Sequence, residues 1–386
     1  MLATRQHRNA SIQRPGLLGD RWQDFDPYLF ITLLVLMFFG TVAIWSASGL
    51  PPLLSNNEGT RQAALGLIGV VIMFVVASID YRYLASLAWV LYLGSIAGLA
   101  LVLTPLGTEQ NGAQNWFVVG SFLIQPSEFA KIGTIVALAA FVSSRGEAMR
   151  EFGNFVVAGL IVALPAGLIL IAPDLGQTMV FVILWLAMMI VTRTRRVYFF
   201  LLAALLGPLI WFAWNYVLAP YQRVRFEVSF NPESDPLGAG FQILQARISI
   251  GAGGVTGAGL AGGTQSQLDL LGVRTSDFIF AHASGMFGFL GMVGLFVAQI
   301  ILIWRCLRVA ETARDTFGQC LAVGITGVFF FQAFLNIGMN VGVMPVTGIT
   351  LPFVSYGVSS LWTFLVLAGI LQSILMHHRK LAFKRV

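Results

Sequence analysis

The chain is predicted to be an all-α polytopic membrane protein of ten transmembrane helices, with both termini cytoplasmic and a large external loop between helices 7 and 8. Three observations predict this. Of the 386 residues 57% are hydrophobic and only 10% charged, against about 25% charged in an ordinary soluble chain. The mean hydropathy is +0.81. The apolar residues also fall in blocks of about 20, the length that crosses a hydrocarbon core about 30 Å thick.

Taken in order, the blocks place spans at 27–48, 62–79, 84–103, 127–143, 154–172, 176–192, 197–217, 283–304, 317–342 and 357–377. Segments 1–26 and 378–386 are then cytoplasmic tails, and 218–282 is the large extracytoplasmic loop. An even number of spans puts both termini on one side, and Lys and Arg decide which side it is. With the N-terminus inside, 17 of the 23 basic residues are cytoplasmic and five external, four of these in the long loop; Lys131 lies within a span. The net charge of +6 follows from this bias, so the membrane explains it and no nucleic-acid partner is needed.

The first 26 residues are polar, with no short apolar stretch and cleavage site after them, and read as a tail rather than a signal peptide. Cys306 and Cys320 lie in no CxxC pattern, and the four histidines are scattered, so neither a disulfide nor a metal cluster is expected. No separate soluble catalytic domain is evident. Chemistry must happen within the bundle or on its external face.

Five stretches stand out. In "IQPSEFAK", Pro126 suits a first helical turn, Glu128 suits the N-terminal dipole, and Lys131 shares its face. This is either a helix start with a local ion pair or a polar site, since ionisable groups at membrane depth usually face a cavity. In "APDLGQT", Asp174 either caps the next helix or serves a site at the external surface. The long loop carries Arg223, Arg225 and Arg247, then seven glycines between Gly251 and Gly263. The glycines read as a folded loop packed on the bundle or, beside the arginines, as a groove for pyrophosphate, because a guanidinium fork matches phosphate oxygens. "MPVTGITLPFVSYGVSS", 344–360, resembles a re-entrant segment, tolerated at membrane depth only when buried in protein or lining a cavity. "RTSDFIFAHAS", 274–284, sets one carboxylate, Asp277, where an apolar run begins.

In this order the motifs resemble the SEDS family (shape, elongation, division and sporulation), the RodA and FtsW cell-wall proteins. The matching pieces are Gly112-Ala113 with Trp116, Gln125-Pro126-Ser127-Glu128, Pro173-Asp174-Leu175-Gly176, Tyr221-Gln222, Gly263-Thr264-Gln265, Asp277-Phe278-Ile279-Phe280, and Pro345 through Tyr356-Gly357. Departures are Gly272-Val273 for Pro-Glu, Gly285-Met286 for Glu-Glu, Asn115 for Arg, Ala258 for Lys and Val358 for Gly. The resemblance implies a peptidoglycan glycosyltransferase of the bacterial cytoplasmic membrane. It would polymerise lipid II onto a growing glycan strand beside a class B penicillin-binding protein that crosslinks it. It also implies that Asp277 is catalytic, and marks Trp116, Glu128, Lys131, Asp174, Gln265 and Ser355 as substrate-binding candidates.

For that reaction a desolvated carboxylate can act as general base, or can hold a divalent cation, Mg or Mn, against the pyrophosphate charge. Arg223, Arg225 and Arg247 are candidates for the leaving-group side. Two other classes compete: a lipid II flippase, which would need more ionisable residues along the bundle than Lys131, and an inactive scaffold for a transpeptidase.

Overall fold

The computed structural model describes residues 22–377 apart from 53–54, 111–112, 121, 218–219, 239 and 262. Most of the tail 1–26, the tail 378–386 and Gly112 therefore lie outside the described residues. The long helices run up and down: α1 Pro27–Ala47, α2 Glu58–Ser78, α3 Tyr83–Val102, α4 Pro126–Arg145, α5 Phe152–Ile171, α6 Leu175–Val191 and α7 Arg196–Phe212. After the long loop come α11 Ile279–Thr312, α12 Thr316–Val341 and α13 Val358–Met376. Among the described residues nine helices are long and apolar enough to cross a membrane, and α6 is apolar but only 17 residues long. An apolar helix thus stands at each expected span.

The ends are set by local chemistry. Pro27 opens α1, and the Asp26 carboxylate accepts from the Tyr28 and Leu29 amides at 3.0 and 3.1 Å. Asn57 and Thr60 form a reciprocal capping box at α2. Pro126 opens α4 as its position suggests. Asp174 caps α6, accepting from the Gln177 amide at 3.0 Å. The centre of the bundle is α4, α12 and α13, each buried over most of its length, whereas α3 and α7 are largely exposed.

The stretch 104–126, expected as a loop, contains a three-stranded antiparallel sheet: β1 Thr108–Gln110, β2 Ala113–Val119 and β3 Phe122–Ile124. The signal was two apolar runs, "WFVV" and "FLI", parted by Gly-Ser. The long loop is also folded, into α8 Pro220–Phe230, α9 Phe241–Ala252 and the short turn α10 Thr264–Gln267.

Expected at 283–304, α11 is longer and is broken at Gly288 (φ 64, ψ −167). Breaking a helix frees backbone groups that need new partners, and the glycine loop supplies them. The Ala258 and Gly259 amides donate to the Gly285 and Met286 carbonyls at 2.9 and 3.0 Å, while Phe289 and Leu290 donate to Gly254 and Val255 at 2.9 and 3.1 Å. The loop packs on the bundle, as one of its two readings expects, with the Ala258 and Gly259 amides on α11. The approach is close enough that a Cβ on Gly285 would lie 3.1 Å from Ser249 Oγ and 3.3 Å from Gly263. A side chain at 285 would need Ser249 and Gly263 to give by a few tenths of an ångström.

The loop yields a paired prediction. Gly257 and Gly259 share φ +81, but a Cβ on Gly257 would lie 2.2 Å from the Met286 carbonyl oxygen and one on Gly259 meets nothing within 4 Å. Gly259→Ala should cost the left-handed strain alone, about 1–2 kcal/mol. Gly257→Ala should cost about 1–3 kcal/mol more from overlap. Equal losses of thermal stability in detergent would show that the loop does not press on α11.

Candidate active site

Between α12 and α13 the chain is irregular, and Ile349, Leu351, Phe353 and Val354 within it are buried. Its backbone is held from several sides. Asn336 Nδ2 donates to the Ile349 carbonyl at 2.7 Å and Gln62 Nε2 to the Ser355 carbonyl at 3.2 Å. Ser355 Oγ accepts from the Leu351 amide at 2.8 Å, and Ser229 Oγ of α8 accepts from Val346 at 3.3 Å. This is the protein-buried segment that the alternation of Pro, Gly and hydroxyls predicts.

Asp277 stands against it. Three consecutive carbonyls are fixed: Thr275 accepts from the Tyr356 amide at 2.8 Å, Ser276 from Ser355 Oγ at 2.7 Å, and Asp277 from Asn340 and Asn336 Nδ2 at 2.9 and 3.1 Å. The side chain has no such tether beyond the Ser276 hydroxyl at 3.1 Å. A Cβ on Gly348 would lie 3.6 Å from its Oδ2, so the glycine leaves space beside the carboxylate. The carboxyl is partly open to solvent yet set deep among protein atoms. Burial raises its pKa to about 6, against a smaller lowering by Ser276.

A second polar group lies across the irregular segment. The first turn of α6 packs on it, with Gly176 so close to Thr347 and Ile349 that a Cβ would lie 2.7–2.8 Å from them. Asp174 accepts from Asn115 Nδ2 at 3.2 Å and Gln125 Nε2 at 3.5 Å besides capping α6. Burial again raises its pKa to about 6; the Gln177 amide and Lys131 oppose this, and the charges of Glu128 and Asp277 add to it. Below it Lys131 Nζ lies 2.8 Å from Glu128 Oε1, both fully buried, and Gln177 Nε2 donates to the same oxygen at 2.6 Å. Asp174 therefore caps a helix, and Glu128 and Lys131 form the local ion pair of a helix start.

The other candidates are placed differently. Ser355 is spent on backbone, as above. Arg247 on α9 bonds the Gly342 carbonyl at the C-terminal end of α12 at 3.3 Å, where a cation suits the helix dipole. Arg223 bonds the Asn215 carbonyl at 3.0 Å. Arg225, Tyr221 and Gln222 lie on α8, their side chains outside what is described. Trp116 is partly buried on β2, paired with Thr108; its neighbour Asn115 is the residue that reaches Asp174. Gln265 lies on α10 with its side-chain oxygen buried and unpartnered. For a cation, Asp174 and Asp277 offer two carboxylates, and no group of three acidic, His or Cys residues that could hold a metal occurs among the described residues.

Sequence reasoning missed Asn336 and Asn340. Their signal was a polar residue every four positions, Gln332, Asn336 and Asn340, along an otherwise apolar helix, which puts all three on one stripe.

Comparison with known proteins agrees with this architecture. The sequence model of the FtsW, RodA and SpoVE family, described as cell cycle protein, matches residues 27–380. The chain is 37% identical to peptidoglycan glycosyltransferase MrdB of Escherichia coli K12, over 92% of this chain and 95% of that one. It is 37% identical to stage V sporulation protein E of Bacillus subtilis, over 92% and 98%. A chain from a solved peptidoglycan synthase complex that coordinates polymerization and crosslinking is 30% identical, with TM-score 0.77 over 92% of this chain and 99% of that one. The rod shape determining protein RodA of Thermus thermophilus is 29% identical, with TM-score 0.66 over 92% and 97%. The chain is a multi-pass membrane protein and belongs to the FtsW, RodA and SpoVE family.

Proposed function

We propose that the chain is a peptidoglycan glycosyltransferase that polymerises lipid II at the outer face of the bacterial cytoplasmic membrane, with Asp277 as general base. The observation that carries this reading is the setting of Asp277: a desolvated carboxylate with its backbone fixed, its side chain free and a glycine beside it. The relatives named peptidoglycan glycosyltransferase support the substrate class. The acceptor sugar's 4-hydroxyl gives its proton to Asp277 as its oxygen bonds to the donor's anomeric carbon. The bond from that carbon to pyrophosphate breaks, and undecaprenyl pyrophosphate leaves with the electron pair. Asp277 must be ionised to accept the proton, and a pKa near 6 keeps it ionised at neutral pH while leaving it more basic than an ordinary aspartate. Positive charge for the leaving group comes from Arg247, with Arg223 and Arg225 on α8 as further contributors. Asp174, with Asn115 and Gln125, would receive sugar hydroxyls, and the Glu128–Lys131 pair would fix the electrostatic floor of the site. Trp116 and Gln265 would contact the glycan.

The likeness to a synthase complex supports a partner that crosslinks the product, and we assign that role to a class B penicillin-binding protein. The N-terminus inside, as the Lys and Arg bias requires, puts Asp277 on the outer side with the substrate's sugar.

Purified protein and lipid II test the reading. The wild type should form glycan chains, and Asp277→Asn, nearly isosteric, should lose about 10²–10⁴-fold in rate with unchanged melting. An active Asn variant, or a wild type that moves lipid II across vesicles without polymerising it, would overturn the assignment. A second prediction concerns the buried pair. Lys131→Met strands the Glu128 charge and should cost about 3–5 kcal/mol. Adding Glu128→Gln should recover most of the melting temperature but not the activity. Recovery of both would reduce the pair to packing.

A further inference from the structure

His282, on the first turn of α11, is buried and has a partner at each ring nitrogen. Ser46 Oγ of α1 lies 3.2 Å from Nε2, and Ser266 Oγ of α10 lies 2.6 Å from Nδ1. The tautomer follows from proton counting. Ser46 has one hydroxyl proton, and it goes to the Leu260 carbonyl at 2.6 Å. Ser46 Oγ can therefore only accept from the ring, so Nε2 carries hydrogen. In a neutral imidazole Nδ1 is then the acceptor, and Ser266 donates to it.

Eight residues earlier, Arg274 uses the same two anchors. Its Nε donates to the Ala47 carbonyl and its Nη1 to the Ser266 carbonyl, both at 2.8 Å, and Asp269 pairs with its charge. Arg274 and Asp269 are the charged groups that face this junction. The stretch 274–282 is thus a loop whose two ends are tied to Ser46–Ala47 on one side and Ser266 on the other. Asp277 sits at its middle. The asparagines and Ser355 fix the carbonyls of that middle from α12 and the irregular segment, and Asn340 and Ser249 also tie Ala281. Among the described residues the hydrogen bonds from this stretch to α1 come from its two ends.

We propose that His282 is a positioning residue for Asp277: as the Nε2–H imidazole it closes, with Arg274, a clasp that holds both ends of the Asp277 stretch on α1 and α10. The role rests on the reading of Asp277 as base. Without the ring, the α11 end of the stretch loses its tie to α1 and α10, and the carboxylate shifts relative to the sugar hydroxyl. A displacement of about 1 Å is enough to cost about 10²-fold in rate. Glutamine can reproduce the ring's polarity, with an N–H toward Ser46 and an oxygen toward Ser266.

The test compares His282→Ala, His282→Gln, Ser266→Ala and wild type by amide exchange at residues 274–282 and by steady-state polymerisation of lipid II. His282→Ala should exchange faster there and lose about 10–100-fold in kcat with KM changed less than about 2-fold. His282→Gln should recover both protection and kcat. Ser266→Ala, which keeps the ring and covers the case of an unfolded alanine variant, should show a smaller loss of both in the same direction. Wild-type kcat in a folded His282→Ala, or a Gln variant as slow as Ala with native protection, would overturn the clasp. The exchange measurement needs no turnover, so it stands apart from the base assignment, which Asp277→Asn tests.

Discussion

Three consecutive carbonyls, those of Thr275, Ser276 and Asp277, each need a hydrogen-bond donor because they lie in non-helical backbone inside an apolar bundle. Unpaired, each would cost several kcal/mol in such a setting. The fold meets this with Tyr356, Ser355, Asn336 and Asn340, and much else follows. Asn336 and Asn340 must face inward from α12, which makes that helix central. The segment 344–357 must lie against 275–277, which leaves it irregular and buried. Once the backbone is fixed, the Asp277 side chain lies beside Gly348.

The electrostatics follow from the same crowding. Asp277 and Asp174 are both raised to about 6 by burial, and the Asp277 charge adds to the rise of Asp174. Lys131 offsets part of the negative charge from below, where Glu128 holds it. Asp174 accepts from amide donors and caps a helix, while the Asp277 carboxylate, among the described residues, accepts only from the Ser276 hydroxyl. Two similar groups thereby sit in different settings, set by their partners and not by their residue type.

Much of this was legible in the sequence. Hydropathy located an apolar helix at every expected position, because burial in lipid demands a run of apolar residues whatever the partners. Pro126 and Asp174 could be read as helix starts because caps are local chemistry. Asp277 came from its motif, since a lone acid before Phe278 says nothing about what faces it. What stayed hidden is the chemistry of long-range pairing. The glycine loop left packing and a pyrophosphate groove both open, because the partners of its amides, Gly285 and Met286, lie 27 residues further along. Asn336 and Asn340 carry a helical stripe in the sequence, but their partner at Asp277 is about 60 positions away. His282 looked like a scattered histidine because Ser46 is 236 positions away.

The central claim is that one desolvated carboxylate, raised by burial, takes the proton from the acceptor sugar. The measurement that tests it most directly is the pH dependence of kcat/KM for lipid II polymerisation. A carboxylate with a raised pKa is protonated, and inactive as a base, below that value and active above it. The account predicts an acid limb centred near pH 6, with activity rising through it to a plateau at neutral pH. A limb centred near 4, the value of an ordinary aspartate, or activity that holds flat through both values, would contradict it.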